Sequence, residues 1–298
     1  MSNQAVGLAP LSPLQLMECI ANLYGNPGST RVGRVLAFVG AKGGVGSSTI
    51  CHNTAWMLSE ALRKHVVIAD LDLAFGTAGL DFNQDPVRGI ADAVASPQHL
   101  DDMLLDRLLT KCSEHLSILA APVMLDHDYD LTAEACGTVV DAVRRSVPYV
   151  AVDLPHTWSA WMRHLLHQAD EVVVTAVPDL ANLRNSKYLV DFLKQSRSND
   201  DPPRLVLNMV NTPERPEIGV EEFCRSLDLH AVTVIEFDGA TFGRAANDGR
   251  MIQELNGKAQ AVAPLRELAF RLAQRQPAPA AARKSTLAPL LDKLEIKL

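Results

Sequence analysis

The 298-residue chain has few cysteines, few aromatic side chains and no long apolar segment. No apolar run reaches the ~18 residues that span a bilayer, so the sequence predicts no transmembrane helix. The five cysteines are scattered and form no CxxC pair, which argues for reduced thiols and against a disulfide scaffold or a zinc site. The N-terminus also lacks the basic start and apolar stretch of a secretion signal. Together these absences predict a soluble cytoplasmic protein.

The overall composition is that of a chain with a buried core. Hydrophobic residues make up 47% of the sequence and charged residues 21%, which is too apolar for a disordered chain. The formal net charge is −7, so the chain as a whole does not attract nucleic acid or anionic lipid. We therefore expect a globular protein without a nucleic-acid partner.

Short apolar runs alternate with stretches of helical periodicity from residue 34 onward. The runs lack period-2 alternation, which is typical of parallel strands covered on both faces. No repeat or linker divides this region, so the pattern predicts a single doubly wound α/β domain with a mostly parallel sheet over residues 34–275. The predicted strands are residues 35–39, 66–69, 116–120, 149–152, 172–176, 205–207 and 231–235. The predicted helices include residues 48–63, 131–146, 179–196 and 258–274.

Two segments flank the predicted domain. Residues 1–33 form a lead-in in which Leu14, Met17 and Ile20 predict one amphipathic helix. Residues 276–298 begin as a Pro- and Ala-rich linker and end as an amphipathic tail with a stripe of leucines. The tail could dock on its own domain, on a partner or on a membrane surface. Its mixed charges argue against the membrane, since interfacial helices usually carry a cationic face.

A glycine-rich segment, residues 40–49, lies between the first predicted strand and the first predicted helix. Glycines there let backbone N–H groups turn inward, and the helix presents its positive end, so the segment predicts a phosphate-binding nest. A tight turn that binds nothing is the structural alternative. A Rossmann dinucleotide site is not supported, because no three glycines have the GxGxxG spacing. The residues expected to contact the nucleotide are Gly43, Gly44, Val45, Gly46, Ser47, Ser48 and Thr49.

The segment departs from the ordinary phosphate loop, GxxxxGK[ST], at one position. Gly40 and Gly46 supply the two glycines, but Ser47 stands where the lysine is expected. Ser48 then takes the place of the hydroxyl that ligates magnesium. A second cation is present earlier in the loop, at Lys42.

This arrangement resembles the deviant Walker A motif of the MinD/ParA family, xKGGxGK[ST]. The resemblance implies a P-loop fold and a homodimer that sandwiches two ATP molecules, in which Lys42 reaches the partner's nucleotide. The missing second lysine, the lead-in LYGNPGSTRVGRVLAFVGAKGGVGSSTICHN and the tail RKSTLAPLLDKL are similar to the CpaE/TadZ branch, which serves assembly of Flp-type (Tad) pili. CpaE-type proteins usually carry a receiver-like domain before the ATPase domain, and only the short lead-in stands there in this sequence.

Carboxylates follow two of the predicted strands. Asp70 and Asp72 follow the second strand, and Asp153 follows the run at 149–152, where ligands of open α/β sheets bind. The resemblance implies that Asp70 and Asp153 lie in the magnesium shell and that Asp72 orients the attacking water. It also implies that the residues after Asp153 form a nucleotide-sensing switch. The structural alternative is that these aspartates cap the next element.

Asn208 ends the strand predicted at 205–207. In relatives an asparagine here binds the adenine edge, whereas asparagine at a strand exit is also a common turn former. Two other patterns are discounted: the acidic run 126–130 lacks the glycine and glutamate of a calcium loop, and His164 with His167 lacks a third ligand at metal spacing.

The sequence as a whole therefore favours an ATP- and Mg²⁺-binding homodimer that positions a pilus secretion machine, with slow or absent hydrolysis. Pilus or secretion components are the expected partners. An active MinD/ParA-type ATPase cycling on membrane or nucleoid is the alternative in a different functional class. A scaffold that has lost nucleotide is a third possibility, opposed by the intact glycines and aspartates.

Overall fold

The computed structural model describes residues 33–122 and 131–273. The eight strands are β1 (Arg34–Gly40), β2 (Val66–Asp70), β3 (Thr110–Lys111), β4 (Leu116–Leu119), β5 (Tyr149–Asp153), β6 (Glu171–Ala176), β7 (Arg204–Val210) and β8 (Ala231–Glu236). The helices in these ranges are α1 (Ser47–Leu62), α2 (Ala78–Asp81), α3 (Ile90–Ala95), α4 (Asp102–Leu108), α5 (Ala133–Ser146), α6 (Ala160–Gln168), α7 (Leu180–Ser196), α8 (Val220–Leu227), α9 (Gly239–Asp248), α10 (Ile252–Leu255) and α11 (Val262–Ala273).

The strands form a single sheet in the order β3-β4-β2-β5-β1-β6-β7-β8. Every neighbouring pair is parallel except β3 with β4 at the edge. The chain leaves β1 toward one side of the sheet and later crosses to β6 on the other. The strand order therefore reverses at β1, and open α/β sheets bind ligands at such a point.

Both faces of the sheet are buried, because successive side chains of a strand point to opposite faces. In β1, Val35, Ala37 and Val39 pack into one core, whereas Leu36 and Phe38 pack into the other. Helices α3 to α7 cover the first face, and α1, α9, α10 and α11 cover the second. This double covering explains why the strands read as continuous apolar runs rather than as alternating ones.

The first and last described elements, β1 and α11, meet at the amino-terminal end of the parallel strands, opposite the glycine loop. Arg34 begins β1, and its guanidinium donates a hydrogen bond to the carbonyl oxygen of Leu272 at 2.6 Å. Gly33 N donates to the carbonyl oxygen of Arg144 at 2.6 Å in the same region. The buried Glu171 carboxylate pairs with Arg34 at 3.1 Å and with Arg204 at 3.0 Å. These contacts join α11 to β1, and β1 to β6 and β7, at this end of the strands.

The seven predicted strands are confirmed, with ends that differ by at most a few residues. The four named helices are also confirmed, as α1, α5, α7 and α11. Strand β3 was not predicted, because its two residues, one half-buried and one exposed, leave no apolar run. Residues 1–32 of the lead-in, including its predicted helix, lie outside the described residues, as do the acidic run 126–130 and the tail 276–298.

Candidate functional site

The glycine-rich segment joins the end of β1 to the start of α1, at the point where the strand order reverses. Gly44 and Gly46 adopt φ angles of +80° and +85°, which side chains with a Cβ rarely adopt. Gly46 is the N-cap of α1, and no side chain caps the helix there. The first N–H groups of α1 therefore lack a capping acceptor, which is the arrangement that binds anions at helix N-termini.

Three side chains from different elements hold the carbonyl groups of this segment. His156, which follows β5, has its Nδ1 3.1 Å from the carbonyl oxygen of Gly40. Asn185 Nδ2, on α7, donates to the carbonyl oxygen of Ala41 at 2.9 Å. Asn208 Nδ2, on β7, donates to the carbonyl oxygen of Val45 at 2.8 Å. With the carbonyls held from outside, the loop keeps one shape.

Asn208 has a position that sequence reasoning did not predict. It is buried, and its amide nitrogen touches the loop directly. Its predicted contact with an adenine edge stays a prediction, beside this observed role in shaping the loop.

Lys42 is exposed, and among residues 33–122 and 131–273 it makes no ion pair or hydrogen bond. Ser47, at the position of the missing lysine, has a buried hydroxyl oxygen with no hydrogen-bond partner in the described part of the chain. The loop therefore carries one free cation at its start and one unpartnered hydroxyl at its end.

Asp70 and Asp153 lie side by side, because the parallel register of β2 and β5 pairs these two residues. Both side chains are buried. Asp70 accepts hydrogen bonds from the backbone N–H of Asp72 at 3.2 Å and of Ala78 at 3.1 Å, one on each oxygen. Asp72 accepts from the N–H of Phe75 at 3.0 Å. Asp70 and Asp72 thus shape the segment after β2, whatever else they bind.

Asp153 differs from Asp70 in having an oxygen to spare. Its Oδ1 is buried and has no hydrogen-bond partner within the described ranges. Its Oδ2 lies 3.3 Å from His52 Nε2, an ion-pair distance that does not meet hydrogen-bond geometry. His52 Nδ1 in turn lies 2.7 Å from Asp81 Oδ2. His52 therefore stands between two carboxylates.

The charges in this cluster shift one another's protonation. Burial raises the pKa of the Asp70 carboxyl to about 7, and Asp153 adds to the shift, while His52 opposes it. Burial alone lowers the pKa of His52, but its interactions with Asp153 and Asp81 outweigh burial and raise that pKa to about 10. His52 is therefore the cation of the cluster at neutral pH.

The structure brings together most of the residues predicted from sequence: the loop 40–49, Asp70, Asp153 and Asn208. Sequence reasoning missed His52, Asp81, His156 and Asn185. The only sequence signal for His52 is a histidine among the apolar residues of a helix that follows a glycine loop, and such a histidine has many possible roles. Asn185 carries no signal at all, because its contact depends on how α7 packs.

No protein-family model matches the chain. Among curated proteins, the chain is similar to the septum site-determining protein MinD of Helicobacter pylori, with 28% identity over 217 residues, or 68% of this chain and 78% of that protein. MinD of Escherichia coli is also 28% identical, over 239 residues, or 76% of this chain and 86% of that protein.

Solved structures also resemble the chain. A ParA family ATPase from Chlorobium tepidum has a TM-score of 0.72 at 23% identity, covering 81% of this chain and 99% of that one. MinD from Pyrococcus horikoshii, solved in complex with Mg-ADP, has a TM-score of 0.71 at 18% identity, covering 81% of this chain and 96% of that one. At these low identities the likeness establishes the fold, and it confirms the predicted doubly wound α/β domain.

The two glycines with positive φ offer a matched test of how the loop is held. Alanine at either position strains the backbone by about 1–2 kcal/mol. A Cβ at Gly46 also lies 2.6 Å from Asn208 Nδ2, whereas a Cβ at Gly44 meets no described atom within 4 Å. We expect Gly46→Ala to lower the free energy of unfolding more than Gly44→Ala, because only Gly46→Ala pushes Asn208 away from Val45.

Urea unfolding measures this difference, and hydrogen exchange of the amides at 43–49 reports whether the loop loosens. We expect faster exchange in Gly46→Ala than in Gly44→Ala. Equal unfolding free energies and equal exchange in the two variants would contradict a loop held by Asn208.

Proposed function

We propose that this chain, which is similar to MinD and to a ParA family ATPase, is an ATP-binding protein that dimerises with nucleotide and helps to assemble a Tad (Flp-type) pilus secretion system. We further propose that it hydrolyses ATP slowly or not at all. The observation that carries the nucleotide proposal is a pair of buried polar atoms, Ser47 Oγ and Asp153 Oδ1, that have no protein partner among the described residues, together with the uncapped helix N-terminus at Gly46.

The residues present fit a nucleotide with its metal. The backbone amides from Gly43 to Thr49 would hold the phosphates, and Asn208 the adenine. The predicted magnesium ligands are Ser48, Asp70 and Asp153, of which Asp153 has the unpartnered oxygen. Bound magnesium supplies neutralisation of phosphate charge.

A metal brought in by a nucleotide also fits the composition of the site. The described residues contain no group of three His, Cys, Asp or Glu side chains arranged to hold a metal ion by themselves. Magnesium does not need such a cage, because it is commonly bound by one or two carboxylates together with substrate phosphates and water.

The dimer proposal is supported by the surface around Lys42. The lysine is exposed and has no described partner in its own chain, as expected of a cation that acts on a second copy. A cavity of about 420 Å³ opens beside the loop, between the start of α6 and α7. Trp158 and Tyr188 line it and remain 53% and 67% exposed. Such large exposed aromatics commonly mark interaction sites.

Slow hydrolysis follows from Ser47. A lysine at this position places a positive charge beside the transferring phosphoryl group, and serine cannot. Loss of one such electrostatic donor typically lowers a rate by about 10²–10³. Binding depends on many backbone amides and is less affected, so ATP can be held without being turned over quickly.

The pilus role is supported by the sequence resemblance to the CpaE/TadZ branch, in the loop that lacks its second lysine and in the flanking segments.

An active ATPase cycling on membrane or nucleoid is the competing proposal. No described helix has the length and apolar character needed to span a bilayer. Repeated turnover stimulated by a partner would favour the competing proposal.

Calorimetric titration of MgATP into the full chain, followed by phosphate release on the same sample, tests the proposal directly. We expect saturable binding with little release. Absence of binding would contradict the proposal and favour a scaffold that has lost nucleotide. Rapid multiple turnover would favour the active ATPase instead.

We expect Lys42→Ala to abolish ATP-dependent dimerisation while leaving the fold intact, because the exposed lysine makes no hydrogen bond or ion pair within the described part of its chain. Light scattering with and without MgATP measures the mass, and circular dichroism checks the fold. Lys64→Ala, which removes an exposed lysine beyond the far end of α1, is the matched control. Normal Lys42→Ala dimers would rule out the proposed role of Lys42 across the dimer.

We expect Ser47→Lys to raise the rate of ATP hydrolysis by about 10²–10³-fold, because it restores a cation beside the phosphates. Phosphate release at saturating MgATP measures the rate, and Ser47→Ala controls for loss of the hydroxyl alone. A rate in Ser47→Lys equal to that of the unaltered protein would mean that another feature limits turnover.

A further inference from the structure

We propose that His52 is a positioning residue for the metal: it holds Oδ2 of Asp153 so that Oδ1 is left to the magnesium or its water, and Asp81 anchors the ring from the other side. This inference rests on the proposed function and assigns a role to a side chain outside the phosphate loop. It is carried by the contacts of three side chains and their burial.

His52 is placed where it cannot act on solvent or on a partner. It lies in α1, the helix into which the loop leads, and it is fully buried. Its ring packs 6.0 Å from the ring of Phe82, between centroids. A polar ring at such a position costs free energy unless both nitrogens are satisfied. The groups that face the two nitrogens therefore indicate its role.

Both ring nitrogens face carboxylates. Nδ1 lies 2.7 Å from Asp81 Oδ2, and Nε2 lies 3.3 Å from Asp153 Oδ2. The contact with Asp81 is a hydrogen bond, and the approach to Asp153 is at ion-pair distance. Asp81 is itself anchored, since Thr77 Oγ1 donates to its Oδ2 at 3.3 Å. The ring is thus fixed from the α2 side and presents Nε2 to Asp153.

The consequence appears at the two oxygens of Asp153. Oδ2 faces His52, whereas Oδ1 is buried and has no partner among the described residues. An aspartate held in this way cannot rotate to exchange its oxygens without losing the contact. Groups that hold a ligating side chain in one orientation typically affect metal affinity about 10–100-fold.

Asp70 is not an alternative target for His52. Both of its oxygens already accept backbone N–H groups, from Asp72 and Ala78. Asp70 is therefore oriented by its own following segment, while Asp153 depends on a side chain. Of the two neighbouring carboxylates, only Asp153 is held by the histidine in the described geometry.

Two substitutions separate the two contacts of the ring. Glutamine places an amide nitrogen near the position of Nε2, and asparagine places one near the position of Nδ1. His52→Gln thus keeps a donor toward Asp153, and His52→Asn keeps one toward Asp81. The measured quantity is the ratio of the ADP dissociation constants in EDTA and in excess Mg²⁺, determined by calorimetry on the full chain.

We expect His52→Asn to lower this ratio about 10-fold or more and His52→Gln to retain most of it. ADP affinity in EDTA should change much less in both. A purely structural role would affect the two variants alike and would not alter the Mg²⁺ ratio. Equal ratios in the two variants, or ratios equal to that of the unaltered protein, would overturn the proposal.

Asp81→Asn provides a second route if the histidine variants do not fold, because Asp81 lies at the partly exposed end of the chain of contacts. We expect a lower Mg²⁺ ratio in Asp81→Asn and no change in Asp85→Asn, a nearby exposed aspartate. An unchanged ratio in Asp81→Asn would overturn the anchoring role. If the unaltered protein binds no ADP, the proposed function fails and this inference fails with it; if it binds and only the variants keep their ratios, this inference alone fails.

Discussion

Burial of carboxylates at the carboxyl ends of β2 and β5 is the constraint on which the site depends. The parallel register places Asp70 and Asp153 next to each other in the sheet, and both are shielded from water. Two buried carboxylates side by side are unfavourable in their charged forms unless each charge is compensated. The molecule compensates them in different ways. Asp70 accepts hydrogen bonds from two backbone N–H groups, whereas Asp153 lies at ion-pair distance from the imidazole of His52. The segment after β2 supplies the groups that compensate Asp70, and α1 supplies the histidine that compensates Asp153.

The glycine loop is held by side chains that lie far from it in the sequence. His156, Asn185 and Asn208 reach three of its carbonyl groups from three separate elements. A loop held in this way has its amide groups arranged before any anion arrives, so less ordering remains for binding to accomplish. Such preorganisation favours retention of a phosphate chain even where a lysine is missing. It is consistent with a protein whose bound state, rather than its turnover, carries the function.

The sequence predicted those features that depend on local pattern. Apolar runs predicted seven strands, and the glycine segment predicted the turn from β1 into α1. The positions of Asp70 and Asp153 followed from their place after strands. The contacts of His52 with Asp81, by contrast, depend on how a helix of four residues folds back over α1, and no periodicity marks so short an element. Asn185 was missed for the same reason, since only the packing of α7 brings it to the loop.

The meeting of Arg34 with Leu272 determines how the rest of the chain joins the domain. Residues before 33 and after 273 are covalently attached at the same end of the parallel strands. The seven residues of β1 separate that end from the glycine loop by about 20 Å. Two flanking segments that start close together can share one binding partner, or bind each other. A fluorophore attached at residue 33 or at residue 273 therefore has its point of attachment far from the loop. Labels at both of these positions also lie near enough to report on one another by energy transfer.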